Sequence, residues 1–321
     1  EEKTYDIIRK EQKESSGGFC PKLSYIGGIC IMFRRMLFII SFVLILSAVP
    51  SFASGRILFE RHKASFSVFA SDLHGGGITW LFKGVDAEIS KDGKFVIYTM
   101  MNQKSGARHI AIYDMKLKRS AVLKNIPGDN SFGARLSNDG TMAAFNIFSK
   151  KGHWDIGIYD TPAKKFTYFS SPVNNGADGL YSPFWSNDGK YIYAQDLNKL
   201  YRYSLSDKSV REELSFADIL GKDIAMDSGV SFTFSPDGKM LLFAAESSRE
   251  NCSACASEAA PLKGILFAYL PAEKKCVRLS PENLCVHSGT WSNSTEVIFS
   301  AHKSTGVSGK LSGGKNIYKM S

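Results

Sequence analysis

Along the chain, a short polar cluster interrupts apolar runs at regular intervals. The segments ISKDGKFVIYT (Ile89–Thr99), LSNDGTMAAFN (Leu136–Asn146), WSNDGKYIYAQ (Trp185–Gln195) and FSPDGKMLLFA (Phe234–Ala244) share one pattern, and WSNSTEVIFSA (Trp291–Ala301) is a fifth, degenerate copy. Three residues before each anchor position the side chain is large and apolar: Ile89, Leu136, Trp185, Phe234, Trp291. Two before it is always Ser: Ser90, Ser137, Ser186, Ser235, Ser292. Asp-Gly between apolar segments predicts a tight hairpin, because Gly takes positive φ at little cost. The anchors fall at 92, 139, 188, 237 and 294, so the spacings are 47, 49, 49 and 57.

Each hairpin leads to a second strand–turn–strand phrase, as in HIAIYDMKLKRSAVL from His109 and WDIGIYDTPAKKFTYF from Trp154. One repeat therefore holds four strands: a before the Asp-Gly, b after it, then c and d. Helical periodicity is weak. Four short strands every 45–50 residues predict an all-β fold, a β-propeller of four-stranded antiparallel blades. Six blades are expected, with five plus an appendage or seven with one unrecognised as the alternatives. The first, RILFE, SFSVFAS and GITWLF, lacks strand a. The sixth starts near His287, stops at NIYKM, and lacks strand d. The aromatic-Ser-x-Asp-Gly-Lys phrase, followed by Ile-Tyr-Asp at Ile112–Asp114 and Ile158–Asp160, resembles the TolB-like propeller repeat. The resemblance spans about residue 56 to 321. It implies the propeller alone, with no room for the amino-terminal α/β domain of TolB between Ala53 and Arg56.

Before the repeats the pattern changes. MFRRMLFIISFVLILSAVPSFASG begins at Met32 with Arg34 and Arg35, carries an apolar run from Met36 to Val49, and ends in small residues. This has the form of a secretory signal cleaved after Ala53. It predicts an exported protein, periplasmic or secreted, without a stable membrane anchor after cleavage. Residues 1–31 read as a non-native or disordered extension, and 54–321 as the propeller.

Composition adds limits. The chain has 321 residues, 44% hydrophobic and 22% charged, with a formal charge of +9. The basic residues are scattered, so no nucleic-acid footprint is expected. No G-x-S-x-G elbow, H-E-x-x-H or phosphate-binding Gly-rich loop occurs, and no cofactor is expected.

Two sets of residues are candidates for chemistry. Asp129, Asp178 and Asp227 each stand ten residues before an anchor, in d-to-a connections that lead to the central channel. They predict a rim that binds a cation, a basic ligand or a positively charged peptide; alternatively each caps its own loop. His287 occupies the same kind of connection. The anchor carboxylates Asp92, Asp139, Asp188 and Asp237 read as turn residues that bond their own backbone. Among the cysteines downstream of Ala53, Cys252, Cys255, Cys276 and Cys285, export makes disulfides the expectation, with a four-thiolate zinc site as the alternative. The functional expectation is a non-catalytic module. It would bind an envelope protein or small ligand through loops 127–133, 174–182, 225–231, 246–263 and 283–289. The alternative is a lyase or hydrolase acting on sugars or peptides, with a metal at the channel mouth.

Overall fold

The computed structural model describes residues 6–7, 56–62, 65–150, 152–172, 179–251, 262–303 and 316–321. Strand β1 (Asp6–Ile7) belongs to the last blade. Blade one is β2 (Arg56–His62), β3 (Phe66–Asp72) and β4 (Thr79–Lys83). Blade two is β5 (Val85–Ile89), β6 (Phe95–Met101), β7 (Arg108–Asp114) and β8 (Arg119–Val122). Blade three is β9 (Ser131–Leu136), β10 (Met142–Phe148), β11 (Trp154–Asp160) and β12 (Lys165–Phe169). Blade four is β13 (Tyr181–Trp185), β14 (Tyr191–Gln195), β15 (Lys199–Ser204) and β16 (Val210–Ser215), followed by the helical turn α1 (Phe216–Leu220). Blade five is β17 (Ile224–Ala225), β18 (Thr233–Phe234), β19 (Leu241–Asn251), β20 (Leu262–Leu270) and β21 (Lys275–Arg278). Blade six is β22 (Leu284–Trp291), β23 (Val297–Lys303) and β24 (Asn316–Met320). Every strand pair is antiparallel, and the six sheets form a six-bladed β-propeller.

The expected blade boundaries hold. Blade one has b, c and d strands and no a strand among the described residues. Strand β5 packs directly on β2 and β3, as β9 packs on β6 and β7, which fixes β2 as b. Blade six gains a fourth strand that the repeat pattern does not contain. Asp6 and Ile7 pair with Lys319 and Tyr318 on the free edge of β24.

The repeated Ser-x-Asp-Gly closes each a-to-b hairpin on itself. The hydroxyl of Ser90 donates to Asp92 Oδ1 at 2.7 Å and accepts the Phe95 N–H at 3.0 Å. The same two bonds recur at Ser137, Ser186 and Ser235. The Gly that follows adopts φ between 70° and 74° in all four turns. In the degenerate fifth turn Asn293 takes over, its Oδ1 accepting the N–H groups of Thr295 and Glu296 at 2.9 Å. The repeated Ser is thus required by hydrogen bonding.

Burial occurs between blades. One apolar cluster fills each of the interfaces one–two, two–three, three–four, four–five and five–six. Among the described residues no such cluster joins blade six to blade one. The Trp residues of the repeat stitch neighbouring blades by hydrogen bonds as well as by area. Trp185 Nε1 donates to the Arg135 carbonyl at 2.9 Å, and Trp291 Nε1 to the Thr233 carbonyl at 3.1 Å. In each case the acceptor lies four residues before the preceding blade's anchor.

Candidate functional site

The innermost strands carry a bulge six residues before the anchor. Register shifts fall between Val85 and Glu88 in β5 and between Tyr181 and Phe184 in β13, with a matching break where β9 meets Ala144 and Asn146 of β10. The bulge residues Asp86, Gly133 and Ser182 take φ of 55°, 66° and 56°. For Asp and Ser this is a sparsely populated conformation that the surroundings must enforce.

The enforcing residues stand seven positions after the anchor, on strand b. Thr99, Asn146 and Gln195 are polar and buried in otherwise apolar strands. Thr99 Oγ1 donates to Asp86 Oδ2 at 2.9 Å and accepts the Gly133 N–H of the next blade at 3.0 Å. Asn146 Nδ2 donates to the Phe132 carbonyl at 3.1 Å, and its Oδ1 accepts the Ser182 N–H of the next blade at 3.1 Å. A Cβ on Gly133 would run into that Asn146 amide, which accounts for glycine at this bulge. Gln195 Nε2 donates to the Asp227 carbonyl of blade five at 2.9 Å. One side chain thus holds its own bulge, the next blade's backbone, or both, and the channel wall is made rigid.

These bulges line an axial cavity of about 50 Å³, bounded by Asp86, Arg135, Asn146, Ser182 and the segment Ser228–Phe232. Arg135 is its cation. Its Nη1 donates to the Ala134 carbonyl at 3.0 Å and its Nη2 to Ser231 Oγ at 3.0 Å. Behind it, Glu88 accepts the Leu136 N–H at 3.1 Å. Burial pushes the Glu88 carboxyl upward, and the Arg135 charge and the Leu136 bond pull it back.

Beside the cavity lies a cation–aromatic shelf spanning blades two to four. The Arg108 guanidinium sits 4.0 Å from the Phe132 ring centroid and 5.5 Å from that of Trp154, while its Nε donates to Asn130 Oδ1 at 2.7 Å. Phe132 and Phe148 each meet Trp154 edge-on at 5.1 Å, and Tyr181 follows at 6.5 Å. Phe148 is 45% exposed.

The residues expected at the rim fall differently. Asp129 and Asp227 are exposed and do not line the axial cavity. Asp227 caps its own loop, its carboxylate accepting the Gly229 N–H. Asp129 contributes its backbone, whose carbonyl accepts the Arg108 N–H at 2.8 Å. Asp178 lies outside the described residues, as do Cys252 and Cys255. His287 is the extra residue of a bulge between Val286 and Ser288, and its Nε2 lies 2.7 Å from His302 Nδ1. Among the described residues no group of three His, Cys, Asp or Glu side chains is placed to hold a metal ion.

The cysteine expectation needs one correction. Cys276 is a free thiol, half-buried against the blade four–five core, and burial pushes its pKa up to about 12. Its place on strand β21 packs it against that core. Cys285 is buried and does not stand as a free thiol.

The residues missed by sequence reading are Asp86, Thr99, Arg135, Asn146 and Ser182. A signal existed: a polar residue seven past the anchor in a strand that must be buried on both faces.

No family model matches the chain, and no curated protein matches it. Solved structures do. TolB from Acinetobacter baumannii superposes with a TM-score of 0.55 at 15% identity, covering 88% of this chain and 67% of that one. The fold is a TolB-like six-bladed β-propeller. A nidogen/laminin complex gives 0.54 at 9% identity over 78% of this chain and 90% of that one. An oligogalacturonate lyase in complex with manganese gives 0.51 at 10% identity, over 83% and 85%. At these identities the likeness concerns the fold alone. Among the described residues no helix is long and apolar enough to cross a membrane.

Proposed function

We propose that this TolB-like propeller is an exported, non-catalytic binding module that takes an envelope protein or small ligand on its channel face. The observation that carries this reading is the shelf of Arg108, Phe132, Trp154 and Phe148, set against the axial cavity. One exposed ring, Phe148, backed by the half-buried Phe132 and Trp154 and a stacked Arg, has the composition of a binding hot spot, where rigid rings give contact area at low entropic cost. The Thr99 and Asn146 bridges keep that shelf fixed before any partner arrives. Preorganisation of this kind favours binding.

In this reading residues 32–53 are a cleaved signal, 1–31 lie outside the mature chain, and the mature protein is 54–321. Removal of residues 1–53 would also remove β1, leaving blade six with three strands. Cys285 pairs with Cys252 or Cys255, tying the long loop of blade five to blade six. A mass spectrum of the exported form, with and without reductant, tests both points.

The binding reading is tested by capture from envelope extracts on immobilised mature protein, comparing wild type with Arg108→Glu/Phe148→Ser. Loss of a captured species in the variant, with unchanged thermal stability, is the expected result. Identical capture by both overturns the assignment of the site. Release of stoichiometric metal on acid treatment of the purified protein, with a lower melting temperature in EDTA, would favour the enzyme instead.

A further inference from the structure

Blade five breaks the rule that the other channel strands follow. Its inner strand is split into β17 and β18, both paired to β19. Ala225 pairs with Glu246 and Thr233 with Leu242, so the seven residues 226–232 stand opposite only three, Phe243 to Ala245. In the neighbouring blades four and six the corresponding bulge adds a single residue. The segment leaves the sheet, and its residues Ser228–Phe232 line the axial cavity.

Its path is held by side chains of other blades. Gln195 bonds the Asp227 carbonyl at 2.9 Å, Ser182 Oγ donates to the Ser228 carbonyl at 3.0 Å, and Arg135 donates to Ser231 Oγ at 3.0 Å. The last bond joins blades three and five, which are not neighbours, so it spans the inner edge of blade four. Met226 and Phe232 are buried in the blade four–five core at either end. Between them, Asp227, Ser228 and Gly229 are exposed.

We propose that Asp227–Ser231 is a plug latched across the channel by Arg135, and that a partner reaching the axis must first displace it. This rests on the channel-face reading above and concerns the regulation of that site. Two buried anchors with a short, sheet-free span between them are the anatomy of a segment that opens locally while the blades stay folded. Arg135 is a positioning residue here, and Ser182 and Gln195 are its auxiliaries.

The test is amide hydrogen exchange on the full chain without any partner, so it does not depend on whether the channel face binds anything. Arg135→Gln should speed exchange across 228–231 about tenfold, the loss of one charge-assisted hydrogen bond, with β9, β13 and β19 unchanged. Ser231→Ala removes only the acceptor and should act in the same direction. It decides the matter if the Arg135 variant does not fold. Unchanged exchange at 228–231, or equal acceleration throughout blade five, overturns the plug. If exchange behaves as expected but capture on the channel face is the same in wild type and Arg108→Glu/Phe148→Ser, the plug stands and the binding site lies elsewhere.

Discussion

The Trp185 indole reaches back 50 residues to donate its Nε1–H to the Arg135 carbonyl at 2.9 Å. The donor is a core residue of one blade and the acceptor belongs to the channel strand of the preceding blade. Trp185→Phe keeps most of the packing and orphans that carbonyl. It should cost about 1–2 kcal/mol, and Trp185→Ala about 3–5 kcal/mol. Urea unfolding checks both, and equal costs for the two variants would deny the hydrogen bond a separate role.

The turn carboxylates predict acid sensitivity. Asp92 is held down to about 2, first by the Lys94 side chain and then by the Ser90 hydroxyl. Asp139, Asp188 and Asp237 are lowered, first by Ser137, Ser186 and Ser235. A folded value below the unfolded one means that the unfolded chain binds more protons in acid. Stability from these turns is present above about pH 4 and is lost as pH falls through the folded values. The quadruple Asp→Asn variant should show a flatter decline of the urea midpoint between pH 5 and 2. A slope equal to wild type would show that the turns do not set acid stability.

Asp155 predicts a costly deletion. Its side chain is fully buried, neither carboxylate oxygen is hydrogen-bonded, and His153 Nε2 stands 3.2 Å from Oδ1. His153→Ala removes the nearest polar partner of this buried carboxyl group and should cost about 1–3 kcal/mol. The double variant His153→Ala/Asp155→Leu removes both and should recover most of it. Failure to recover would mean that His153 matters for packing rather than for its pairing with Asp155.

Gly264 predicts a backbone clash. A Cβ there would run into the carbonyl of Val286 on the first strand of blade six. Because an acceptor on a paired strand cannot step aside alone, Gly264→Ala should cost about 1–3 kcal/mol, read as a lower melting temperature. An unchanged melting temperature would show that the blade five–six interface yields easily.

Cys276 predicts inertness. Its thiol is half-buried and pushed up to about 12, so little thiolate exists at neutral pH. Peptide mapping after brief iodoacetamide treatment of the native protein at pH 8 should find Cys276 unmodified. Rapid modification there would mean that strand β21 opens readily.

The blade repeat was legible in the chain because each turn carries its own instructions. Ser90, Asp92 and Gly93 satisfy one another within six residues, and the same local chemistry recurs at Ser137, Ser186 and Ser235. That blade one shows b, c and d strands was legible from their apolar runs. The rim was not. Asp129 and Asp227 share an offset from the anchor, yet one offers its carbonyl to Arg108 and the other caps its own loop.

Local hydrogen bonding and strand periodicity, both written in short stretches of sequence, determined the blades, their order and their hairpins. The channel was decided by the tertiary structure. Whether Asp86 lines an axis, whether Arg135 meets Ser231 96 residues away, and whether Gln195 reaches the Asp227 carbonyl depend on how the blades pack. Those contacts are long-range in sequence. Each depends on which side chain another blade presents, and no single repeat contains that information.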